Sequence, residues 1–139
     1  MELLLKKIRI KEDGENDIKL TVKAAGEKEI FGGLFYWLSS LAKNTKNKKK
    51  MSLHFTADSL ENLAVKIVNE VIYLYDYKKI WPLKTKIKLE NKKNIFILKA
   101  EINAAKNAEI KRQLKAASYH GLCFKKERNG FVLKIVIDI

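Results

Sequence analysis

The sequence predicts an α+β fold: a two-layer sandwich in which two amphipathic helices cover one face of a mostly antiparallel, mixed sheet. Two long segments repeat apolar residues with the 3.6-residue period of a helix, and several shorter segments alternate with the period of a strand. Most connections between the strand segments are short enough for hairpins. The predicted order is ββαβαββββ. A chain of 139 residues suits one domain over residues 1–139, because a second core would not fit comfortably.

The first two strands are predicted at residues 3–10 and 17–23. Residues 11–16 between them form a polar turn that contains Gly14. In the second strand, alternation places three apolar side chains on one face, namely Ile18, Leu20 and Val22. These two strands should therefore form a hairpin.

The first helix is predicted at residues 27–43. Its apolar side chains follow the helical period, and they are Ile30, Phe31, Leu34, Phe35, Leu38, Leu41 and Ala42. Gly32 and Gly33 cost such a helix about 1 kcal/mol each, so we expect them to permit close packing on the sheet. Residues 43–50 are predicted to be a loop, because five lysines in eight residues repel one another and stay solvated.

A short strand at residues 51–57 leads into the second helix. Asp58 suits the N-cap, with Glu61 three residues later to complete a capping box, and the helical period extends to about residue 77. Four further strands follow, at residues 83–90, 95–102, 113–126 and 131–137. Residues 91–94 and 127–130 are predicted turns, the second with the Asn-Gly pair typical of hairpins, and residues 103–112 form a polar connection.

The composition narrows the classes of function. A net charge of +13 attracts phosphate polyanions or an acidic protein surface, although the abundance of Lys, Ile and Asn together can also reflect nucleotide composition. Neither a G-x-G-x-x-G fingerprint nor a Walker lysine loop occurs, so nucleotide binding by those routes is not expected. No apolar run approaches the roughly 20 residues of a membrane helix, and the first apolar run is too short for a secretory signal. We therefore expect a cytoplasmic protein.

The cysteine and the histidines give little sign of catalysis. Cys123 is the single cysteine, which cannot form an internal disulfide, and we interpret it as a buried small apolar residue. His120 follows Ser118 closely, but no G-x-S-x-G elbow accompanies them. His54 lies in a predicted short strand. No catalytic residue is assigned.

Two aspartates at strand ends are more informative. Asp17 opens the second predicted strand and Asp138 closes the last one. In an antiparallel pair the start of one strand lies beside the end of its neighbour, so the two carboxylates would meet if these strands pair. Like charges in such a cluster repel unless a cation neutralises them, and hard oxygen ligands favour Ca²⁺, Mg²⁺ or Mn²⁺ over Zn²⁺. The alternative is that both are ordinary turn or solvent residues.

Four segments resemble the archease family. Residues 114–122 resemble a motif that reads K-A-x-[ST]-[YLF]-H-x-L, and residues 136–139 are similar to the family ending V-x-x-D-[VI]. Residues 58–63 and 69–76 resemble its second helix. The segments occur in the family order with similar spacing, and the resemblance covers about residues 55–80 and 100–139.

The first third of the chain departs from the family pattern. Archeases usually open with H-T-A-D-I, whereas this chain has Gly-Glu-Asn-Asp-Ile at residues 14–18. Placing Asp17 on the family aspartate aligns the family's E-E-L-F helix start with residues 28–31 without a gap. The string H-F-T-A-D at residues 54–58 precedes the second helix and is therefore not the family motif. The usual Gly-Glu-Pro is also missing at residues 103–107.

The resemblance implies a non-enzymatic role. Archeases are protein cofactors of the GTP-dependent RNA-splicing ligase of tRNA splicing; they promote its guanylylation and multiple turnover. A Ca²⁺-like ion lies between the first-motif aspartate, the C-terminal aspartate and a carbonyl of the last residue. By resemblance, Asp17, Asp138 and Ile139 become ligands of a divalent cation, Ca²⁺ first and Mg²⁺ or Mn²⁺ next, and the partner becomes the RNA-splicing ligase.

Other functions remain open at this stage. The main alternative is a small basic RNA-binding module that acts without the ligase, supported by the net charge and the lysines of residues 43–50. An enzyme acting on its own and a general chaperone or scaffold are the remaining classes, and no set of residues specifically indicates either.

Overall fold

The computed structural model describes residues 2–5 and 7–139, with side chains from residue 7 onward. This part of the chain forms two helices and eight strands, which confirms the α+β class. In chain order the elements are β1 (Glu2–Leu5), β2 (Ile8–Asp13), β3 (Asp17–Ala24), α1 (Glu27–Ser40), β4 (Lys48–Ala57), α2 (Leu60–Lys78), β5 (Trp81–Lys92), β6 (Ile95–Ala105), β7 (Ala116–Glu127) and β8 (Gly130–Asp138).

The strands divide into two antiparallel sheets, a division that the sequence prediction did not make. The five-stranded sheet has the order β1-β2-β3-β8-β7, and the three-stranded sheet has the order β4-β6-β5. Each helix contacts strands of both sheets. The helices and the inner faces of the two sheets therefore share one apolar core, whose fully buried side chains include Leu20, Phe31, Trp37, Leu63, Ile67 and Leu98.

The predicted first strand, residues 3–10, is a hairpin of two strands. Glu2–Leu5 pairs with Ile8–Asp13, with Leu5 opposite Ile8. Residue 6 of the predicted strand lies outside the described residues. No glycine or proline interrupts this part of the sequence, so composition gave no sign of the reversal. From the second predicted strand onward, the predicted order of elements is confirmed.

The lysine-rich loop is shorter than predicted. Lys48, Lys49 and Lys50 already belong to β4, opposite Ala105, Ala104 and Asn103 of β6. All three lysines are exposed, so the strand forms while their charges stay hydrated. The expectation of a loop throughout residues 43–50 is therefore wrong for its last three residues.

The cap of the second helix also differs from the prediction. Ser59 is the N-cap, and its Oγ accepts a hydrogen bond from the backbone N–H of Asn62 at 3.1 Å. Asp58 lies one residue earlier, where its carboxylate accepts from the Asn62 side-chain amide at 2.7 Å. The serine takes the cap because its hydroxyl, rather than the aspartate, reaches the free N–H of the first turn.

Candidate metal site at the paired strand ends

Strands β3 and β8 bring the two predicted aspartates together. The strands pair antiparallel along their length, and the register places Asp17 directly opposite Asp138. Ile18 and Ile137, the next pair, are buried in the core. Because successive side chains of a strand alternate between faces, both aspartates lie on the outward face of the five-stranded sheet. The expected juxtaposition is therefore found, and metal binding by it stays a prediction.

The backbone at both aspartates is tightly held. Gly14, in the turn between β2 and β3, has a φ of +106°, and a Cβ there would lie 2.1 Å from the carbonyl oxygen of Asp17. Only glycine fits this close approach. On the other strand, the carbonyl of Asp138 accepts a hydrogen bond from the Lys115 N–H at 2.8 Å. The turn and the entry to β7 thus fix where the two strand ends lie.

The oxygen donors at these two strand ends suit a hard, partly hydrated cation. Asp17 is exposed, Asp138 is half-buried, and Ile139 follows at the exposed end of β8. Across residues 7–139, where side chains are described, no cluster of three or more His, Cys, Asp or Glu side chains could hold a metal ion. A cation here would therefore have two carboxylates, completed by backbone carbonyls and water. Ca²⁺ accepts such a set of oxygen ligands, whereas a closed zinc site requires four protein ligands.

Further charged side chains lie near these two strand ends. Lys19 is two residues beyond Asp17 on the outward face, and Asp13 of β2 is opposite Lys19. Asp13 also forms an exposed ion pair with Lys11, at 3.7 Å. Facing carboxylates in a sheet destabilise it, so a cation between Asp17 and Asp138 would relieve a repulsion that the register imposes.

Neither histidine is opposite either aspartate in the sheet registers. His120 is in a bulge of β7 between Ser118 and Cys123, where Gly121 has a φ of +73°. The backbone N–H of His120 donates to the Ser118 hydroxyl at 3.0 Å, so that hydroxyl supports the bulge. Cys123 is half-buried rather than fully buried, and its thiol is free. His54 is exposed on the three-stranded sheet.

Sequence reasoning missed two polar contacts that link distant segments. Glu12 forms an ion pair with Arg112 and accepts a hydrogen bond from the Trp37 indole at 3.0 Å, with only 12% of its side chain exposed. The Asn69 amide oxygen accepts from the Ala117 N–H at 2.8 Å, which ties α2 to the start of β7. Glu12 and Arg112 are 100 positions apart in predicted polar segments, so no local pattern pointed to them. Asn69 lies in a segment singled out by its resemblance, which was the one available signal.

Within the described part of the chain, neither helix is long and apolar enough to cross a membrane.

The comparison with protein families decides where the chain belongs. Residues 11–139 match the model of the Archease protein family (MTH1598/TM1083), a span that includes both aspartates and every strand from β3 onward. The chain belongs to the Archease protein family. Among curated proteins, no sequence matches it.

Two solved structures share the archease fold. Protein 1598 of Methanobacterium thermoautotrophicum is 17% identical, with a TM-score of 0.71 over 97% of this chain and 100% of that one. An archease of Thermotoga maritima, described as a possible chaperone, is 16% identical, with a TM-score of 0.63 over 91% of this chain and 94% of that one. At such low identity these archease structures establish the fold alone.

Proposed function

We propose that this archease is a non-enzymatic protein cofactor of a GTP-dependent RNA-splicing ligase, which it activates in tRNA splicing or RNA repair by promoting guanylylation and multiple turnover. Family membership supports the class of protein. The observation that carries the proposal is the register of β3 and β8, which places Asp17 opposite Asp138 at the ends of these two strands.

We further propose that the two aspartates hold a divalent cation together with the carbonyl of Ile139. Carboxylate and carbonyl oxygens are the ligands that Ca²⁺ prefers, and Mg²⁺ or Mn²⁺ would bind the same donors with more water. The cation, when bound, would neutralise the facing carboxylates. Two carboxylates and a carbonyl around one cation suit a role in binding and positioning.

The sheet gives this site the rigidity that an activator requires. Ile18 and Ile137 anchor the two strands in the core immediately beside the aspartates, and the turn at Gly14 fixes the approach to Asp17. Preorganised charged groups act most strongly where water is excluded, as in the active site of a metal-dependent enzyme. The strand ends that carry Asp17 and Asp138 can therefore dock on the ligase. There they would present their carboxylates or a cation to the ligase metal or the triphosphate.

A guanylylation assay tests this proposal. Purified ligase, GTP and divalent metal are combined with wild-type protein or with the Asp138→Ala variant, and covalent guanylylation of the ligase is followed with time. We expect wild-type protein to accelerate guanylylation and Asp138→Ala to abolish the stimulation, because one of the two carboxylates is lost.

The matched control is Asp76→Ala, which removes an exposed carboxylate of α2. It should stimulate the ligase normally, and circular dichroism should show that both variants retain the fold. Normal stimulation by Asp138→Ala would contradict the proposal.

A further inference from the structure

The outward face of the three-stranded sheet concentrates positive charge. Cross-strand partners share a face, so the register of β4, β6 and β5 collects seven lysines there against two glutamates, Glu90 and Glu101. We call this surface the basic sheet face, and its lysines are Lys48, Lys50, Lys84, Lys86, Lys88, Lys92 and Lys99. The opposite face of the same sheet supplies Leu98 and Ala100 to the core. One side is thus fixed by packing and the other is left free for a partner.

The register places both like and opposite charges in facing positions. Lys88 is directly opposite Lys99, whereas Lys86 is opposite Glu101. Like charges in facing positions destabilise a sheet. Lys88 reaches Glu90 only at 4.0 Å with 76% of its side chain exposed. A polyanion bound on this face would offset the repulsion.

Most of the other lysines on the basic sheet face form no ion pair with an acidic side chain of the described residues. Within residues 7–139, Lys50, Lys84, Lys86 and Lys99 form no ion pair within 4.0 Å. Glu101, which is opposite Lys86, accepts hydrogen bonds from the Ser52 hydroxyl at 2.9 Å. The cationic groups are therefore available to a ligand.

A cleft beside α1 adds an aromatic surface to the basic sheet face. It has a volume of about 880 Å³, and its lining includes Lys84 and Lys86 of the sheet and Gly32 and Tyr36 of α1. Tyr36 is 40% exposed, and a Cβ added at Gly32 would meet nothing within 4 Å. An exposed aromatic ring beside a row of cations is the combination with which proteins bind single-stranded nucleic acid, by stacking bases and pairing phosphates.

We propose that the basic sheet face binds single-stranded RNA. Lys84, Lys86 and Lys88 point outward at every second position of β5, roughly 7 Å apart, so a single strand can lie along them with its phosphates on successive lysines. Tyr36 then offers a stacking surface at one end. An acidic peptide would use the lysines but has no need of an aromatic cleft. The inference does not rest on ligase activation, because the face belongs to the sheet that lacks Asp17 and Asp138.

Fluorescence anisotropy with a labelled, unstructured RNA oligonucleotide tests this inference on the full chain at several salt concentrations. The sheet variant combines Lys84→Gln, Lys86→Gln and Lys88→Gln. The control variant combines Lys125→Gln, Lys126→Gln and Lys134→Gln, which removes the same charge from exposed positions of the five-stranded sheet. We expect the sheet variant to lose at least tenfold in affinity at low salt, and the control much less.

The salt dependence separates the lysines from the tyrosine. Each phosphate contact on single strands contributes about 0.7 to the slope of log affinity against log salt, so the sheet variant should lose about 2 from that slope. Tyr36→Ala should weaken binding roughly fivefold or more with an unchanged slope, because stacking releases no counterions. Melting curves should show that the sheet variant stays folded with a stability close to that of the wild type, because all three lysines are exposed and make no core contact.

Two results would overturn the inference. The first is equal RNA affinity and salt slope for the sheet and control variants. The second is tight binding of polyglutamate that the sheet substitutions weaken while RNA binding is unaffected, which would assign the face to an acidic protein. Either result leaves the proposed ligase activation untouched, because that function is tested separately through Asp138.

Discussion

Gly14 shows how a single residue can control the presentation of the candidate metal site. Its φ of +106° disfavours any side chain, and an added Cβ would collide with the carbonyl of Asp17. We predict that Gly14→Ala lowers the free energy of unfolding by about 1–3 kcal/mol and weakens cation binding at Asp17. Urea unfolding and calorimetric titration with Ca²⁺ measure the two effects.

Gly121 provides the matched control. Its φ of +73° is also left-handed, but an added Cβ would meet only Val136 Cγ2, at an ordinary 3.8 Å. Gly121→Ala should therefore lower the free energy of unfolding only by the conformational strain of the left-handed backbone. It should leave cation binding unchanged. Equal cation affinity in Gly14→Ala and Gly121→Ala would show that the collision at Asp17 is unimportant.

The ion pair of Glu12 and Arg112 is a second contact that acts at the residue scale. It joins β2 to the connection before β7, and Glu12 is nearly buried while Arg112 is partly exposed. We predict that Arg112→Met lowers the free energy of unfolding by about 1–2 kcal/mol, because solvent screens part of the interaction but Glu12 loses a partner. The comparison is Arg128→Met in the exposed β7–β8 turn, which should change stability little. Equal losses in urea unfolding would contradict this.

Among the elements, α1 carries two neighbouring glycines with opposite roles. A Cβ at Gly33 would lie 2.8 Å from side-chain methyl carbons of Ile8 and Val22, whereas Gly32 faces open space. We predict that Gly33→Ala destabilises the protein by about 1–3 kcal/mol through overpacking. Gly32→Ala should stabilise it by up to about 1 kcal/mol through helix propensity. Thermal melting measures both, and a loss in Gly32→Ala equal to that in Gly33→Ala would refute the assignment.

Periodicity predicted the elements where local pattern and tertiary packing agree. The strand at Asp17–Ala24 alternates strictly, and the helix at Leu60–Lys78 keeps its apolar stripe, so both were found close to their true bounds. The start of β4 was missed because three consecutive lysines favour a loop, while pairing with β6 outweighs that preference. The hairpin at Leu5 and Ile8 was missed because its turn has no glycine or proline.

At the scale of the whole molecule, the two candidate surfaces belong to different sheets. The aspartate pair is at the ends of two inner strands of the five-stranded sheet, and the basic sheet face covers the three-stranded sheet. The carboxylate pair and the row of lysines thus lie on different sheets of a chain whose net charge is +13. This separation allows a cation or a metal-dependent enzyme to be bound at one place and a polyanion at another.

The first of these surfaces was predictable from sequence and the second was not. The proximity of Asp17 and Asp138 follows from a single assumption, that the second and last predicted strands pair. The similarity of residues 136–139 to the family ending supported that assumption.

The opposition of Lys88 and Lys99 depends on the exact register of the β5–β6 hairpin, which the predicted turn at residues 91–94 did not fix. The rest of the basic sheet face depends on the pairing of β4 with β6, and no periodicity fixes a register between strands that are far apart in the chain. The contact of Glu12 with Arg112 was hidden for the same reason.

Calorimetric titration of the metal-free protein with Ca²⁺ tests the central claim, that Asp17 and Asp138 share one cation, most directly. We predict one cation bound per chain, with binding lost equally in Asp17→Asn and Asp138→Asn, because each removes half of the carboxylate pair. Asp13→Asn, at a nearby aspartate paired with Lys11, should bind as the wild type does. Wild-type affinity in Asp17→Asn would show that the two strand ends do not share a cation, and would contradict the account.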